Sequence, residues 1–527
     1  MSLQTLKSRA LRGATAVLVA AGITAPAHAT TALYSGGGTL AEKVYRDIMN
    51  CYGNHSGTDT ETGLAMPPAT CNGASPYNSN VELLYVGVGS GNGKKGFVNH
   101  ASEKFTDGPK SPDTVPVPST ADFGPYFGTG TGATWSRNTT DTGPFFPTVS
   151  FVGSDDPLTS ADISTYNTNS NGWGAPIQFP ALAVAVAIPF NPATGTWNEH
   201  GKKPSGGGNS SLLNLSTNTL CGIFSGAITD WNDPAITADN GNQSITGGAS
   251  KTITVVYRSD GSGTTFLTSN GLVNQCAATS HPIPAQWITD NGGVAAGNNN
   301  FFINVNSAGH LPANFLGANG SGGVKSTINS TPGSIGYVSP DFTKPVDSAG
   351  PKAANLQTWY SFTNSLTPVF KAPTSKNATQ IVGKTKAPSF SKNSCPIGAG
   401  VGQASDGICA HNPLNWGVAV PLPLASAAYP LGGFTFIDTY TCYADPANVA
   451  ALVGTSAGSL GYLRWYMGSA TENSSKVKNS LASNGFAVLP GGWISAAKKL
   501  LTTDAVTKIS TPGTAKTGCA AVSGSGA

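Results

Sequence analysis

Charge is scarce in this 527-residue chain: Asp, Glu, Lys and Arg make up 10% of it, and 29 basic against 26 acidic side chains leave a formal net charge of +3. So weak a field excludes the sequence-independent electrostatic grip of a nucleic-acid binder or a membrane-surface protein, and an anion would have to be held by local groups. No apolar run is long enough to cross a bilayer as a helix, which excludes membrane insertion by that route. There is no Cys-x-x-Cys and no His-rich spacing, so nothing points to a metal, and no motif asks for a cofactor.

What is present is glycine (66 residues), with abundant Asn, Ser and Thr, the composition of a loop-rich extracytoplasmic surface. Residues 1–29 carry Lys7, Arg9 and Arg12, an apolar run from Ala14 to Ala25, and Ala27-His-Ala29, which reads as a secretory signal peptide cleaved after Ala29. Its removal brings the 29 Lys and Arg level with the 26 Asp and Glu. The mature chain is expected in the periplasm or secreted, as a monomer. The first Cys is Cys51, too far from the cleavage point for a lipid anchor.

All eight Cys (Cys51, Cys71, Cys221, Cys276, Cys395, Cys409, Cys442 and Cys519) follow the signal. An even number in an exported chain argues for disulfides. On the order of a hundred pairings are possible, so spacing does not choose among them, and sequential neighbours are the simplest assignment. A mature chain of about 500 residues should form more than one domain.

The organising stretch runs from Thr252 to Asn274. Thr252-Ile-Thr-Val-Val-Tyr257 reads as a buried strand, Arg258-Ser-Asp-Gly-Ser-Gly-Thr-Thr265 as a loop, and Phe266–Asn274 as the body of a helix. A helix start leaves N–H groups unpaired and carries partial positive charge. Here it is flanked by the hydroxyls of Ser262 and Thr264 and the guanidinium of Arg258, which suits a tetrahedral oxyanion.

Similar units precede it. Ala32-Leu-Tyr34 meets a glycine turn, then Leu40–Met49 has helical spacing. Val81–Val86 is a strand closed by Gly87-Val-Gly-Ser90-Gly-Asn-Gly93, and Phe151-Val-Gly-Ser-Asp155 is a strand before a turn, with Ser160 as the expected cap of the next helix. Gly91-x-Gly93-x-x-Gly96 fits the dinucleotide pattern, but lacks the long apolar helix and the later acidic residue of that site. Ile177–Ile188 is an almost continuous apolar run, as expected of a strand covered on both faces that enters a second α/β domain. Ser216–Phe224 reads as a capped helix, so Cys221 and Cys276 would sit on consecutive helices and make a natural staple. Residues 50–80 and 106–147 read as long surface insertions.

Taken in order, Gly-Gly-Thr39-Leu, Tyr85-x-Gly-x-Gly-Ser90, Phe151-x-x-Ser-Asp155-x-Pro-Leu158, Cys221-Gly-Ile-Phe-Ser-Gly-x-Ile-Thr-Asp-Trp231-Asn, Tyr257-Arg-Ser-Asp-Gly-Ser-Gly-Thr264 and Gly333-Ser-Ile-Gly-Tyr-Val338 resemble the phosphate-binding proteins of ABC phosphate importers and their relatives, the DING proteins. The resemblance implies an α/β, two-domain periplasmic-binding-protein (type II) fold with a double hinge crossover, residues 30–178 plus 345–527 forming one domain and 179–344 the other. It implies that inorganic phosphate is the ligand and an ABC permease the partner. Phosphate would be held by Thr39, Leu40, Ser90, Asp155, Arg258, Ser262, Gly263 and Thr264, with Asp260 positioning Arg258. Asp155 would be the selective residue: a carboxylate is an acceptor only, so it receives a proton from phosphate but faces a sulfate oxygen with nothing between them. Leu40 where transporter proteins usually have Phe, Pro430-Leu-Gly-Gly with Tyr440-Thr-Cys-Tyr443, and Cys221, Cys276, Cys442 and Cys519 favour the DING branch, whereas Asp260-Gly-Ser is the transporter spelling. The insertions and the stretch around Cys395–Cys409 have no counterpart in either.

Three rivals remain in view. Gly454-Thr-Ser456-Ala-Gly458 spells a nucleophile elbow, but lies between helical runs instead of after a strand. The oxyanion donors could serve a metal-free phosphomonoesterase, although no residue is an evident nucleophile or base. The polar insertions would suit an adhesive or structural protein that keeps a binding fold for its shape.

Overall fold

The computed structural model describes residues 31–53, 57–58, 65–66, 76–101, 149–169, 172–204, 211–290, 311–390, 409–455, 460–469, 471–473, 475–513 and 519. The expected signal peptide, residues 106–147, Cys71, Cys395 and Ser456 lie outside them, as does most of the expected insertion at 50–80.

Among the described residues, two five-stranded mixed sheets carry the fold. The first has the order β2 (Val81–Gly87), β1 (Thr31–Gly37), β3 (Phe151–Ser154), β13 (Gly432–Tyr440), β4 (Pro176–Ala185). β1 lies parallel to β2 and β3, and β13 runs antiparallel between β3 and β4. The second has the order β8 (Phe315–Ala318), β7 (Thr254–Arg258), β9 (Ser334–Gly336), β5 (Pro189–Phe190), β10 (Lys352–Ala353), with β7 parallel to both neighbours. A smaller sheet joins β12 (Phe370–Lys371), β11 (Asn355–Gln357) and β6 (Asn214–Leu215).

The apolar run from Ile177 is a strand with both faces buried, as its continuity predicts, but it belongs to the first sheet. β4 pairs with β13 from Pro176 to Ala185, so residues 179–185, expected in the second domain, complete the first sheet. The chain passes to the second sheet at Val186–Ile188, where Ala187 and Val338 exchange backbone hydrogen bonds of 2.8 and 3.0 Å. The return expected near residue 345 comes later. Lys352 and Ala353 pair with Phe190 and Pro189, and Leu356 pairs with Leu215 and Lys371. Only then does the helix Ser375–Val382 pack on β4. Val186, Ala187, Ile188 and Val338 are all buried, which favours a narrow, dry connection.

Five of the strands in the two large sheets feed helices: β1 to α1 (Glu42–Tyr52), β2 to α2 (Ser90–Asn99), β3 to α3 (Ser160–Asn169), β7 to α5 (Gly263–Cys276) and β8 to α6 (Gly320–Ser330). α4 (Thr217–Ser225) starts at the expected cap, Ser216 Oγ accepting from Thr219 N at 3.3 Å. α3 is capped one residue earlier than expected. Thr159 N donates to Asp162 Oδ2 (2.8 Å) and Asp162 N to Thr159 Oγ1 (3.1 Å), a reciprocal box that Ser160 does not join. Cys221–Cys276 ties α4 to the end of α5, and Cys442 is bonded to Cys519. Cys51 and Cys409 are disulfide-bonded as well.

Candidate functional site

The loops after β1, β2, β3, β7 and β8 open at the carboxyl ends of their strands, where open α/β sheets place ligands. Glycine shapes the first of them. Gly37 has φ 129°, and a Cβ there would lie 2.0 Å from the Gly153 carbonyl oxygen, so β1 and β3 approach as closely as they do only because the position has no side chain. The turn beyond is fixed from below: Tyr85 Oη donates to the Gly38 carbonyl at 2.9 Å, and Gly87 N donates to Glu42 Oε1 at 2.6 Å. Thr39 and Leu40 thus sit just before α1, Leu40 with its side chain in the core.

Ser90 opens α2 and is fully buried against Asp155 at the end of β3. Its Oγ donates to Asp155 Oδ2 at 3.1 Å and accepts from Asp155 N at 3.0 Å. The turn that presents Asp155 is locked by buried Lys94, whose Nζ lies 2.6 Å from Asp156 Oδ2 and 3.2 Å from Asp162 Oδ2. Burial pushes the Asp155 carboxyl up to about 7, against the Ser90 hydrogen bond and the charge of Arg258, which pull it down. Its second oxygen, Oδ1, is buried without a hydrogen-bond partner, as is Thr264 Oγ1. Orphaned buried acceptors and donors are costly, so such atoms are expected where a ligand completes them.

The second sheet brings its own donors to the same place. Ser262 caps α5, accepting from Thr265 N at 3.2 Å, and Gly263 and Thr264 form its first turn. A Cβ on Gly263 would lie 2.4 Å from both Asp155 Cβ and Ser90 Oγ, so the start of α5 touches the residues of the first sheet directly. Arg258, at the end of β7, is buried; its Nε donates to Asp260 Oδ1 at 2.6 Å and its Nη2 to Asp260 Oδ2. Its backbone N donates to Tyr337 Oη at 2.9 Å, which in turn bonds Thr265 Oγ1 at 2.7 Å. Thus Ser90, Asp155 and Gly263 are in mutual contact, Arg258 is held by Asp260, and Ser262 and Thr264 flank Gly263.

Thr39 connects to Arg258 through a residue the sequence did not single out. Ser321, in the first turn of α6, lies 3.3 Å from Thr39 Oγ1 and 3.5 Å from Arg258 Nη1. The signal was present in Phe315-Leu-Gly-Ala followed by Asn319-Gly-Ser-Gly-Gly, one more strand–glycine–helix unit like the others. Asp341 was also missed: it is buried, and burial pushes it up to about 7 against the pull of Lys43 and of the Ser339 hydroxyl. Among the described residues no group of His, Cys, Asp and Glu could hold a metal. The arrangement is a buried cluster of hydroxyls, helix starts and the Arg258 guanidinium beside the Asp155 carboxyl, suited to a small oxyanion that carries a proton.

A model of a PBP superfamily domain matches residues 24–390. The chain is similar to alkaline phosphatase L of Pseudomonas aeruginosa, with 27% identity over 420 residues, 78% of this chain and 80% of that one. It is also similar to a phosphate-binding protein from an unknown prokaryotic organism, with 29% identity over 396 residues, 72% of this chain and 88% of that one. Among solved structures, a high-affinity periplasmic phosphate-binding protein with bound phosphate, PfluDING, aligns with a TM-score of 0.56 at 25% identity, over 91% of this chain and 96% of that one.

Proposed function

Because the chain belongs to the PBP superfamily, we propose that it is an exported protein that binds inorganic phosphate between two lobes, for delivery to a permease. The first lobe is built on the sheet of β1–β4 and β13, the second on the sheet of β5 and β7–β10. The ligand set is the one the sequence suggests: Thr39, Leu40, Ser90, Asp155, Arg258, Ser262, Gly263 and Thr264. The observation that carries the reading is the buried, unpartnered Oδ1 of Asp155 on a carboxyl that touches Ser90 in its own lobe and the start of α5 in the other. Donors alone would suit any tetrahedral anion. An acceptor among them selects one that still has a proton to give.

The binding chemistry follows from charge. Arg258 supplies a guanidinium, and a charge-assisted bond from it is worth roughly twice a neutral one. The helix starts of α2 and α5 add N–H groups and partial positive charge. Titration of ligand-stripped protein by calorimetry should show phosphate and arsenate competing for one site, and sulfate weaker by roughly a hundredfold or more. Equal affinity for sulfate would refute the role of Asp155. Arg258→Ala should lose measurable phosphate binding while remaining folded.

A second reading, hydrolysis of phosphomonoesters, has one observation in its favour: Ser90 Oγ lies 3.1 Å from Asp155 Oδ2, a hydroxyl beside a carboxyl that titrates near neutrality. It accords with the name of the Pseudomonas aeruginosa relative. In such a step Ser90 Oγ would bond phosphorus as the phosphorus–oxygen bond to the alkoxide breaks, its proton passing through Asp155 to the departing alcohol, and water that gives a proton to Asp155 would then cleave the phosphoserine, the proton returning to Ser90 as phosphate is released. Steady release of p-nitrophenol from its phosphate ester, in chelator and abolished by Ser90→Ala, would establish it.

A further inference from the structure

Ser321 belongs to no part of the proposed ligand set, yet its hydroxyl touches two members of it that stand on opposite lobes. It is buried, and its Oγ lies 3.3 Å from Thr39 Oγ1 in the first lobe and 3.5 Å from Arg258 Nη1 in the second. Arginine can only donate, so Ser321 Oγ is the acceptor of that contact and its own proton is free to go to Thr39. Thr39 Oγ1, accepting from Ser321, keeps its own proton for an anion. The neighbouring residue acts on the same guanidinium from its other side: Gly320 N donates to Asp260 Oδ1 at 3.0 Å, the oxygen that also takes Arg258 Nε.

We propose that Ser321 is a positioning residue of the phosphate site, relaying the polarity of Arg258 to Thr39 and latching the two lobes together when they close. The proposal rests on the phosphate reading above. Hydrogen bonds in a chain polarise one another, and here every link runs the same way: Arg258 N–H to Ser321, Ser321 O–H to Thr39, Thr39 O–H to the anion. The first turn of α6 thereby orients the guanidinium at both edges. Nε and Nη2 face Asp260, Nη1 faces Ser321, and one N–H on each terminal nitrogen is left for oxygens of the ligand. Because the relay crosses between lobes, it exists only in the closed form and should act on the dissociation of ligand, not on its encounter.

The test is stopped-flow and calorimetric phosphate binding by the stripped full-length protein and four variants. Ser321→Ala removes only an oxygen; Asn319, not Ser321, precedes the helix as its cap position, so the fold has no need of the hydroxyl. It should weaken phosphate binding by about tenfold, the worth of one or two buried hydrogen bonds, almost entirely through faster dissociation. Ser321→Thr, which keeps the hydroxyl, should restore binding to within about threefold of the parent protein. Thr39→Val and the double variant Thr39→Val/Ser321→Ala should bind alike, since the relay ends at Thr39. Parent-like affinity and dissociation in Ser321→Ala, or additive losses in the double variant, would overturn the relay while leaving phosphate binding intact. Failure of the parent protein itself to bind phosphate would overturn both.

Discussion

Asp155 holds its proton far above the range of an exposed aspartate, and the shift has a sign that can be tested. Buried Asp155 and Asp341 titrate at about 7 in the folded chain, and half-buried Glu82 does the same by desolvation. In the unfolded chain such groups release their protons near pH 4. Between those limits the folded state holds more protons, so the free energy of unfolding falls as pH rises; the contribution is complete below about pH 4 and gone once pH passes about 7. Glu472, drawn down to about 2 by Lys498, acts below that window and does not oppose the trend. Ligand-free protein should therefore melt several degrees lower at pH 8 than at pH 5, and Asp155→Asn should flatten the slope and raise the melting temperature at pH 8. A variant with the parent slope would contradict the assignment. The same substitution turns an acceptor into a group that can also donate, so sulfate should gain on phosphate.

Much at this scale was legible in the chain because the informative residues are local. Arg258 and Asp260 are two positions apart, and Ser262–Thr264 complete one loop, so a single stretch shows charge, counter-charge and helix start together. Ser321 was legible only as part of one more strand–glycine–helix unit, and its role was not. Its meaning is a contact with Thr39, 282 positions away, and a serine in a run of glycines looks like any turn. Asp341 hides for the same reason, since its burial is a property of the packed interior and not of its neighbours in sequence.

Elements show a different boundary between what the residues dictate and what packing decides. The 176–188 run is apolar enough to demand burial on both faces, and that requirement is met by β13 and covering helices as well as by a second domain. Hydrophobicity fixes that β4 is buried; pairing with a strand some 250 residues later fixes where. The expected staple between α4 and α5 is a case where local logic sufficed. Cys221 and Cys276 lie 5.5 Å apart at Cα, closing a separation of 55 residues. Replacing both with Ser should cost about 3–4 kcal/mol, seen as a lower denaturation midpoint. Cys276 is at the far end of α5 from Gly263, about 20 Å along the helix, so phosphate affinity of the folded variant should stay within about threefold. A loss of affinity as large as the loss of stability would mean that the disulfide sets the position of the helix start.

At the scale of the whole molecule the question is what brings the lobes together, and Gly263 isolates it. The position has no positive φ, so an alanine strains nothing in α5 itself, and alanine is the better helix former. Yet a Cβ there would stand 2.4 Å from Asp155 Cβ and from Ser90 Oγ, closer than real atoms approach, and Asp155 belongs to the other lobe. Gly89 meets Gly261 in the same way, its would-be Cβ 2.6 Å from the Gly261 carbonyl oxygen. The lobes therefore meet through glycines, Gly263 against side-chain atoms and Gly89 against backbone, and on the phosphate reading the site is complete only when they do. Gly263→Ala should leave each lobe folded, with a melting temperature at or above that of ligand-free parent, while lowering phosphate affinity by about a hundredfold or more. Small-angle scattering separates this from a simple loss of ligand contacts: saturating phosphate should shrink the radius of gyration of the parent protein, and the variant should stay extended at the same concentration. If the variant contracts fully but binds weakly, closure does not depend on that contact, and the ligand must be held by one lobe before the other arrives.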